Sequence, residues 1–233
     1  MLTWFPSPYP DELFYSVLCR YYLGSGIKEH YLVKKQLFGT KAGAKMATLY
    51  PNATIHAILS QLPAGVFDGH NVILHHTPFA YYTRMYPATE REALMDDLLQ
   101  GRGKTPTHLW RTFPKGDYAL RYCPLCVQED TQIYGEPYYH VEHQIPLSSV
   151  CVRHRCRLKQ ITIDNPRLAL NNRFYPLSTM ETDREPDMDV TPAELQVSEL
   201  VWEYWRLPAS VSPPDCNNLY QTLLNSGYRT IVR

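Results

Sequence analysis

Two short motifs carry the clearest chemistry in this 233-residue sequence. They are Cys123-Pro-Leu-Cys126 and, 24 residues later, Cys151-Val-Arg-His154. In each, two intervening residues let one tight turn aim two ligands at the same ion. Two such turns brought together supply the four donors of a closed tetrahedral zinc site, and thiolates with a neutral imidazole match the borderline softness of zinc. Four protein donors leave no position for a reacting water. The expected role is therefore structural, with metal-binding energy becoming folding energy for a segment too small to hold itself. Cys156 is an alternative to His154 as fourth ligand, and His140 and His143 are weaker candidates. Six cysteines, four of them within residues 123–156, do not form a secreted disulfide framework; Cys19 and Cys216 stand alone. A redox Cys-x-x-Cys would need a βαβ context, which the sequence lacks.

Between the two pairs lies His140-Val-Glu-His143-Gln-Ile-Pro-Leu-Ser. It resembles the core of HNH endonucleases, in which such a histidine is the general base for water and a second metal stabilises the scissile phosphate. The spacing opposes that reading. Seven residues separate His143 from Cys151, and none is the metal-orienting Asn that those enzymes need. Glu142 and His143 are expected to be structural or partner-facing, and an HNH-like zinc-containing nuclease is kept as an alternative function.

Lys and Arg number 23, as do Asp and Glu, so the formal net charge is zero. Even charge would argue against a nucleic-acid footprint, but the distribution is uneven. Residues 102–173 hold eleven basic and six acidic side chains, whereas residues 181–203 hold one Arg against eight acidic residues. Arg153, Arg155, Arg157 and Lys159 alternate after the second ligand pair; on one extended strand all four would share a face. With Tyr118, Tyr122, Tyr134, Tyr138 and Tyr139 interleaved, this segment suits contact with the phosphates of double-stranded DNA. The alternative is that the basic and acidic segments pair with each other.

The elements that position these residues read as mainly α. Leu13, Phe14, Val17, Leu18, Tyr21 and Tyr22 form an apolar stripe on a helix over 11–23, with Asp11-Glu12 at its N-terminus and Gly24-Ser25-Gly26 ending it. A second helix spans about 27–37 and stops at Gly39. The pair is either a helix-turn-helix or an ordinary αα-hairpin. Ile55, Ile58, Leu59 and Leu62 suggest a third helix, and residues 72–85 are ambiguous, with His75 and His76 read as packing or surface side chains. Thr89-Glu-Arg-Glu92 and Thr191-Pro-Ala-Glu194 read as capping boxes, the second with Pro at the first helical position. Residues 181–189 read as an acidic loop, 208–214 as a linker and 219–224 as a last helix. Three regions result: a helical, helix-turn-helix-like part over 1–101, a zinc-finger or zinc-ribbon segment over 102–175, and C-terminal helices over 190–233. No apolar run approaches the ~20 residues of a membrane span, and the N-terminus lacks a secretory signal pattern.

Several features together resemble the TniQ/TnsD family of transposon-targeting proteins. Phe5-Pro-Ser-Pro-Tyr-Pro-Asp-Glu-Leu13, followed by Tyr15-Ser16, looks like the entry motif of that family. Arg121-Tyr-Cys-Pro-Leu-Cys126, Tyr134-Gly-Glu136, His143-Gln144 and Cys151-Val-Arg-His154 look like its zinc segment in the same order. One departure is the ending Cys-Val-Arg-His-Arg155, where Cys-Pro-x-His-Gly is the expected form. The resemblance implies a non-enzymatic adaptor in the bacterial cytoplasm. It would select a target site on DNA, directly or through a CRISPR RNA-guided complex, and recruit an AAA+ ATPase transposition regulator. The N-terminal helices are the surface expected to meet that ATPase. A zinc-stabilised protein–protein module without DNA contact is the other alternative. Residues 219–229 resemble the opening of a further domain, so the chain is expected to be either shortened or a naturally brief member.

Overall fold

The computed structural model describes residues 2–39, 54–63, 67–102, 119–164, 170 and 172–208. Among them helices dominate: α1 (Phe14–Ser25), α2 (His30–Phe38), α3 (Thr54–Leu59), α4 (Gly69–His75), α5 (Phe79–Thr83) and α6 (Ala88–Leu99) precede the cysteine-bearing segment. That segment holds β1 (Arg121–Tyr122), α7 (Pro124–Tyr134), α8 (Val141–Gln144), β2 (Val150–Cys151), β3 (Cys156–Arg157) and β4 (Lys159–Gln160), and α9 (Pro192–Arg206) follows. The strands form two antiparallel ladders, β1 with β4 and β2 with β3. The linker beyond Pro208, the helix at 219–224, Tyr118 and Cys216 lie outside the described residues.

Helix α1 is the hub. Its expected apolar stripe is only part of its contact surface, because Tyr15, Ser16 and Cys19 are buried as well as Phe14, Val17, Leu18 and Tyr21. A helix buried on several faces cannot rely on side-chain capping from solvent. The N–H of Leu13 instead donates to Tyr139 O (2.7 Å) and that of Phe14 to His76 O (2.7 Å). Asp11 and Glu12 are consequently not in the first helical turn, contrary to the sequence expectation. Asp11 adopts φ 54°, and Glu12 forms an antiparallel bridge with His140. Gly26, left-handed at φ 68°, ends the helix as expected. Gly24 has a different reason for being glycine: a Cβ there would meet the Trp4 indole at 2.5 Å.

The ambiguous stretch 72–85 covers most of α4, the turn after it, α5 and the two turn residues that follow. His76 there is buried, its Nδ1 2.7 Å from Glu12 O, while His75 is exposed. The capping box expected at Thr89 is absent. Helix α6 begins earlier, at Ala88, with Pro87 as N-cap and no capping side chain, so Thr89 and Glu92 fall inside the first turn. The box at Thr191 forms as read, with Glu194 N–H donating to Thr191 Oγ1 and Thr191 N–H to Glu194 Oε2.

One hydrophobic cluster runs from Leu2 to Trp205 and includes Leu120, Tyr122, Val127, Tyr139, Val141 and Ile145. The N-terminal helices and the cysteine-bearing segment therefore share a core. Their joint is polar at its rim. Arg20 donates through Nη1 to Glu12 Oε2 (2.9 Å) and through Nε to Glu136 Oε1 (2.7 Å), with its guanidinium 3.7 Å above the Tyr9 ring. Tyr9 in turn packs on Tyr134 and Tyr138 at 4.4 and 5.2 Å between ring centroids. Tyr122, Tyr138 and Tyr139 are buried and Tyr134 half-buried, so these rings build the core and the joint instead of an exposed stacking surface.

Burial pushes the Glu12 carboxyl up to about 7, although Arg20 and the Tyr9 N–H favour its ionised form. Because the folded value lies above the unfolded one, this group's contribution is fully present below pH ~4.5 and is lost as pH rises through ~7. Wild type is thus expected to lose about 2 kcal/mol relative to Glu12→Gln between roughly pH 5.5 and 8. Denaturation midpoints of the two proteins across that range would show it; parallel pH profiles would contradict the assignment.

Candidate metal centre

The first ligand pair owes its geometry to a helix start. Pro124 at the first position of α7 has the fixed φ that a helix needs, and Cys123 is its N-cap, with Sγ accepting the Cys126 N–H at 3.4 Å. The positive end of α7 therefore points at sulfur, which favours thiolate. The second pair sits on a hairpin. Cys151 ends β2, residues 152–155 turn, and the Arg155 N–H donates to Cys151 O at 2.7 Å. The hairpin register places Cys151 opposite Cys156 and Val150 opposite Arg157.

Cys123, Cys126, Cys151 and His154 converge with their donor atoms all within 4.8 Å of one another. His154 Nδ1 lies 3.5, 3.3 and 3.7 Å from the sulfurs of Cys123, Cys126 and Cys151, and Cys126 Sγ is 3.8 Å from Cys151 Sγ. Tetrahedral zinc with its usual bond lengths would set sulfur–sulfur edges of about 3.8 Å and sulfur–nitrogen edges of about 3.6 Å. The donors are thus already spaced for one tetrahedral ion. Among the sulfurs themselves, hydrogen bonds with Cys123 and Cys126 hold the Cys151 thiol far below its usual range, while Cys123 and Cys151 push Cys126 far above it. A bound dication would level this difference, since coordinating thiols lose their protons outright.

Outer groups orient the ligands. Glu129 Oε2 lies 3.3 Å from His154 Nε2, and Glu129 Oε1 accepts from Arg153 at 2.6 Å. A carboxylate on the far nitrogen fixes the histidine tautomer that presents Nδ1 to a metal. His143 is almost fully buried, with Nε2 4.0 Å from Cys126 Sγ and 3.5 Å from Glu142. His140 pairs with buried Asp130 at 2.9 Å. Both histidines therefore lie in the surrounding shell, outside the four-donor group. The Asp130–His140 pair joins α7 to the N-cap residue of α8, which spacing along the chain does not reveal.

The run Arg153–Lys159 is not one strand. Arg153 and Arg155 lie in the hairpin turn, Arg157 in β3 and Lys159 in β4, where it pairs with Tyr122. Arg157 donates to Glu194 Oε1 (2.5 Å), lies 3.3 Å from Asp187 and holds the Glu194 carboxyl down to about 2. Lys159 pairs with Asp183. The basic and acidic segments thus meet at Arg157 and Lys159. Arg155 is exposed, without a carboxylate partner among the described residues, and has φ 51°.

Fold and site define a mainly helical protein with a middle segment organised around a Cys3His donor set. Residues 3–158 match the TniQ family model, more than half of the chain and all four donors, and the chain belongs to that family. It is 28% identical over 156 residues to the transposon Tn7 transposition protein TnsD of Escherichia coli. That match covers 64% of this chain and 30% of the relative, so the chain spans well under half of that protein's length.

Two outcomes follow from the centre. Chelation, or Cys126→Ser, is expected to lower the thermal midpoint sharply, because a structural zinc contributes on the order of 10 kcal/mol to folding; calorimetry with and without chelator would test this, and an unchanged midpoint would count against a structural metal. Arg155→Gly relieves a left-handed backbone and should stabilise the metal-loaded protein by about 0.5–1 kcal/mol, after allowing for glycine's extra unfolded-state freedom. Urea midpoints read that effect, and a lowered midpoint would show that the arginine side chain matters more than the strain.

Proposed function

We propose that this chain is a non-enzymatic adaptor of transposition target-site selection. It engages target DNA, or a CRISPR RNA-guided complex bound there, and recruits an AAA+ ATPase transposition regulator. The observation that carries this reading is the family match, which spans the N-terminal helices and the Cys3His centre. Zinc held by Cys123, Cys126, Cys151 and His154 would keep the hairpin and α7 against the shared core. The α1–α2 pair, read as helix-turn-helix-like, would present the surface for the ATPase. We place the protein in the bacterial cytoplasm; no described helix is long and apolar enough to cross a membrane.

Arg153, Arg155, Arg157 and Lys159 are the proposed DNA contacts, with unequal availability. Arg155 is exposed without a carboxylate partner among the described residues, whereas Arg153, Arg157 and Lys159 would exchange carboxylates for phosphates. Those ion pairs also favour a second reading, a zinc-stabilised protein–protein module without DNA contact. The nuclease alternative draws no support from His143, whose ring is buried against sulfur and out of reach of a phosphodiester.

Retention of the ATPase on the immobilised chain, with and without target DNA, tests the adaptor reading; retention that DNA enhances is expected, and no retention under either condition would refute it. In the same system, log affinity for DNA should fall linearly with log salt, and replacing Arg153 and Arg155 by Ala should reduce the slope by about one per lost phosphate contact. ATPase retention with no measurable DNA affinity at low salt would select the protein–protein module.

A further inference from the structure

Helix α9 carries two apolar rows, and the fold buries one of them. Ser198, Val201 and Trp205 are buried, and Ser198 Oγ accepts the N–H groups of Ser149 (3.3 Å) and Val150 (3.2 Å), which seats the helix on β2. About 100° round the helix, one residue earlier at each step, runs the second row: Ala193, Val197, Leu200, Tyr204 and Leu207. Its alternating intervals of four and three residues are the heptad spacing of a coiled-coil seam, kept along the whole helix. Val197, Leu200 and Leu207 are 43, 58 and 40% exposed, and Ala193 is exposed as well. Tyr204 is half-buried, its ring edge-on to that of Tyr81. A single exposed leucine needs no explanation, but an exposed row that keeps its register does.

The border of this row is acidic. Gln196 and Glu203 lie along its solvent side with Glu199 beyond, and neither glutamate has an ion-pair partner among the described residues. Glu194 is held by Arg157 and Arg206 by Asp11. A second copy of this chain laid on the row would set Glu199 and Glu203 against acidic side chains of their own kind, a like-charge contact that opposes pairing. A helix with apolar residues at matching positions and Lys or Arg beside them meets both features, covering the row and pairing the two glutamates. Two neighbours extend the surface. Leu147, two residues before Ser149, is 71% exposed at a left-handed φ of 70°, a strained display of apolar surface that no packing among the described residues offsets. At the far end Leu207 borders a cavity of about 1300 Å³ that Phe79, Met95 and Trp205 also line, with room for a large apolar side chain from a partner.

We propose that the row from Ala193 to Leu207 is a docking surface for a basic amphipathic helix of another protein, held by heptad packing and by Glu199 and Glu203. Helix α9 lies beyond residue 158, where the family match ends. The surface is therefore additional to the matched region, and the proposal does not rest on the adaptor reading.

The probe is a synthetic three-heptad helix with Leu at its a and d positions and Lys at e and g, compared with the same peptide carrying Glu at e and g. Fluorescence anisotropy of the labelled peptides reads their binding to the full chain. The lysine form is expected to bind at least ~10-fold tighter than the glutamate form, and Leu200→Glu to weaken it at least ~10-fold. Leu200→Glu adds an acidic group, so attraction by charge alone would instead strengthen binding of the lysine peptide. That result, or equal binding of the two peptides, would overturn the proposal. Replacing both glutamates, Glu199→Lys with Glu203→Lys, should reverse the preference. A Leu200→p-benzoylphenylalanine chain, irradiated with the lysine peptide, gives a measurement that does not depend on those variants. Cross-linking to the peptide supports the proposal. Cross-linking to a second copy, to residues 209–233 of the same chain, or to nothing overturns it, the first two by naming a different occupant.

Discussion

Three sulfurs and an imidazole nitrogen, with donor atoms all within 4.8 Å of one another, are spaced to share a single cation. That convergence is the feature around which the middle of this protein is arranged. The cysteine cluster is separate from the main hydrophobic core, and its strands are two residues long, far too short to pair independently. A metal held at that point would fix α7 against the β2–β3 hairpin, with Pro124 and the N-cap role of Cys123 aiming one half and the Cys151 turn aiming the other.

The centre is then tied to the rest of the chain by a second device. The backbone bridge between Glu12 and His140, and the tertiary capping of α1 by Tyr139 and His76, make the first helix dependent on residues more than sixty positions away. Arg20 links Glu12 to Glu136 across that joint. Neither the helical hub nor the cysteine-bearing segment has its backbone groups satisfied alone, and the family match extends over both.

Charge plays a different part from the one its distribution along the chain suggests. Of the basic residues after the second ligand pair, Arg157 and Lys159 meet acidic residues before and at the start of α9, and these contacts fasten α9 and its lead-in loop to β3 and β4. Zero net charge thus reflects internal pairing as well as segregation. Any partner that reads this face by its phosphates must compete with carboxylates already in place, which makes such recognition strongly dependent on ionic strength.

The two Cys-x-x-Cys/His pairs as candidate donors, the helical class, the glycine stop after α1 and the Thr191 capping box were legible because each depends on residues close together in sequence. Local spacing fixes how one turn aims two donors, and local backbone chemistry fixes where a helix ends. The sequence expectation for Glu12, the false capping box at Thr89 and the single basic strand erred where distant contacts outweighed local preference. Glu12 leaves the helix because His140 offers a backbone bridge, and the run 153–159 breaks because β3 and β4 pair with different partners. The sequence by itself determined which atoms could hold a metal; only the tertiary structure decided which of them meet, and that Cys156 sits beside them, because donor convergence depends on packing between segments that spacing does not encode.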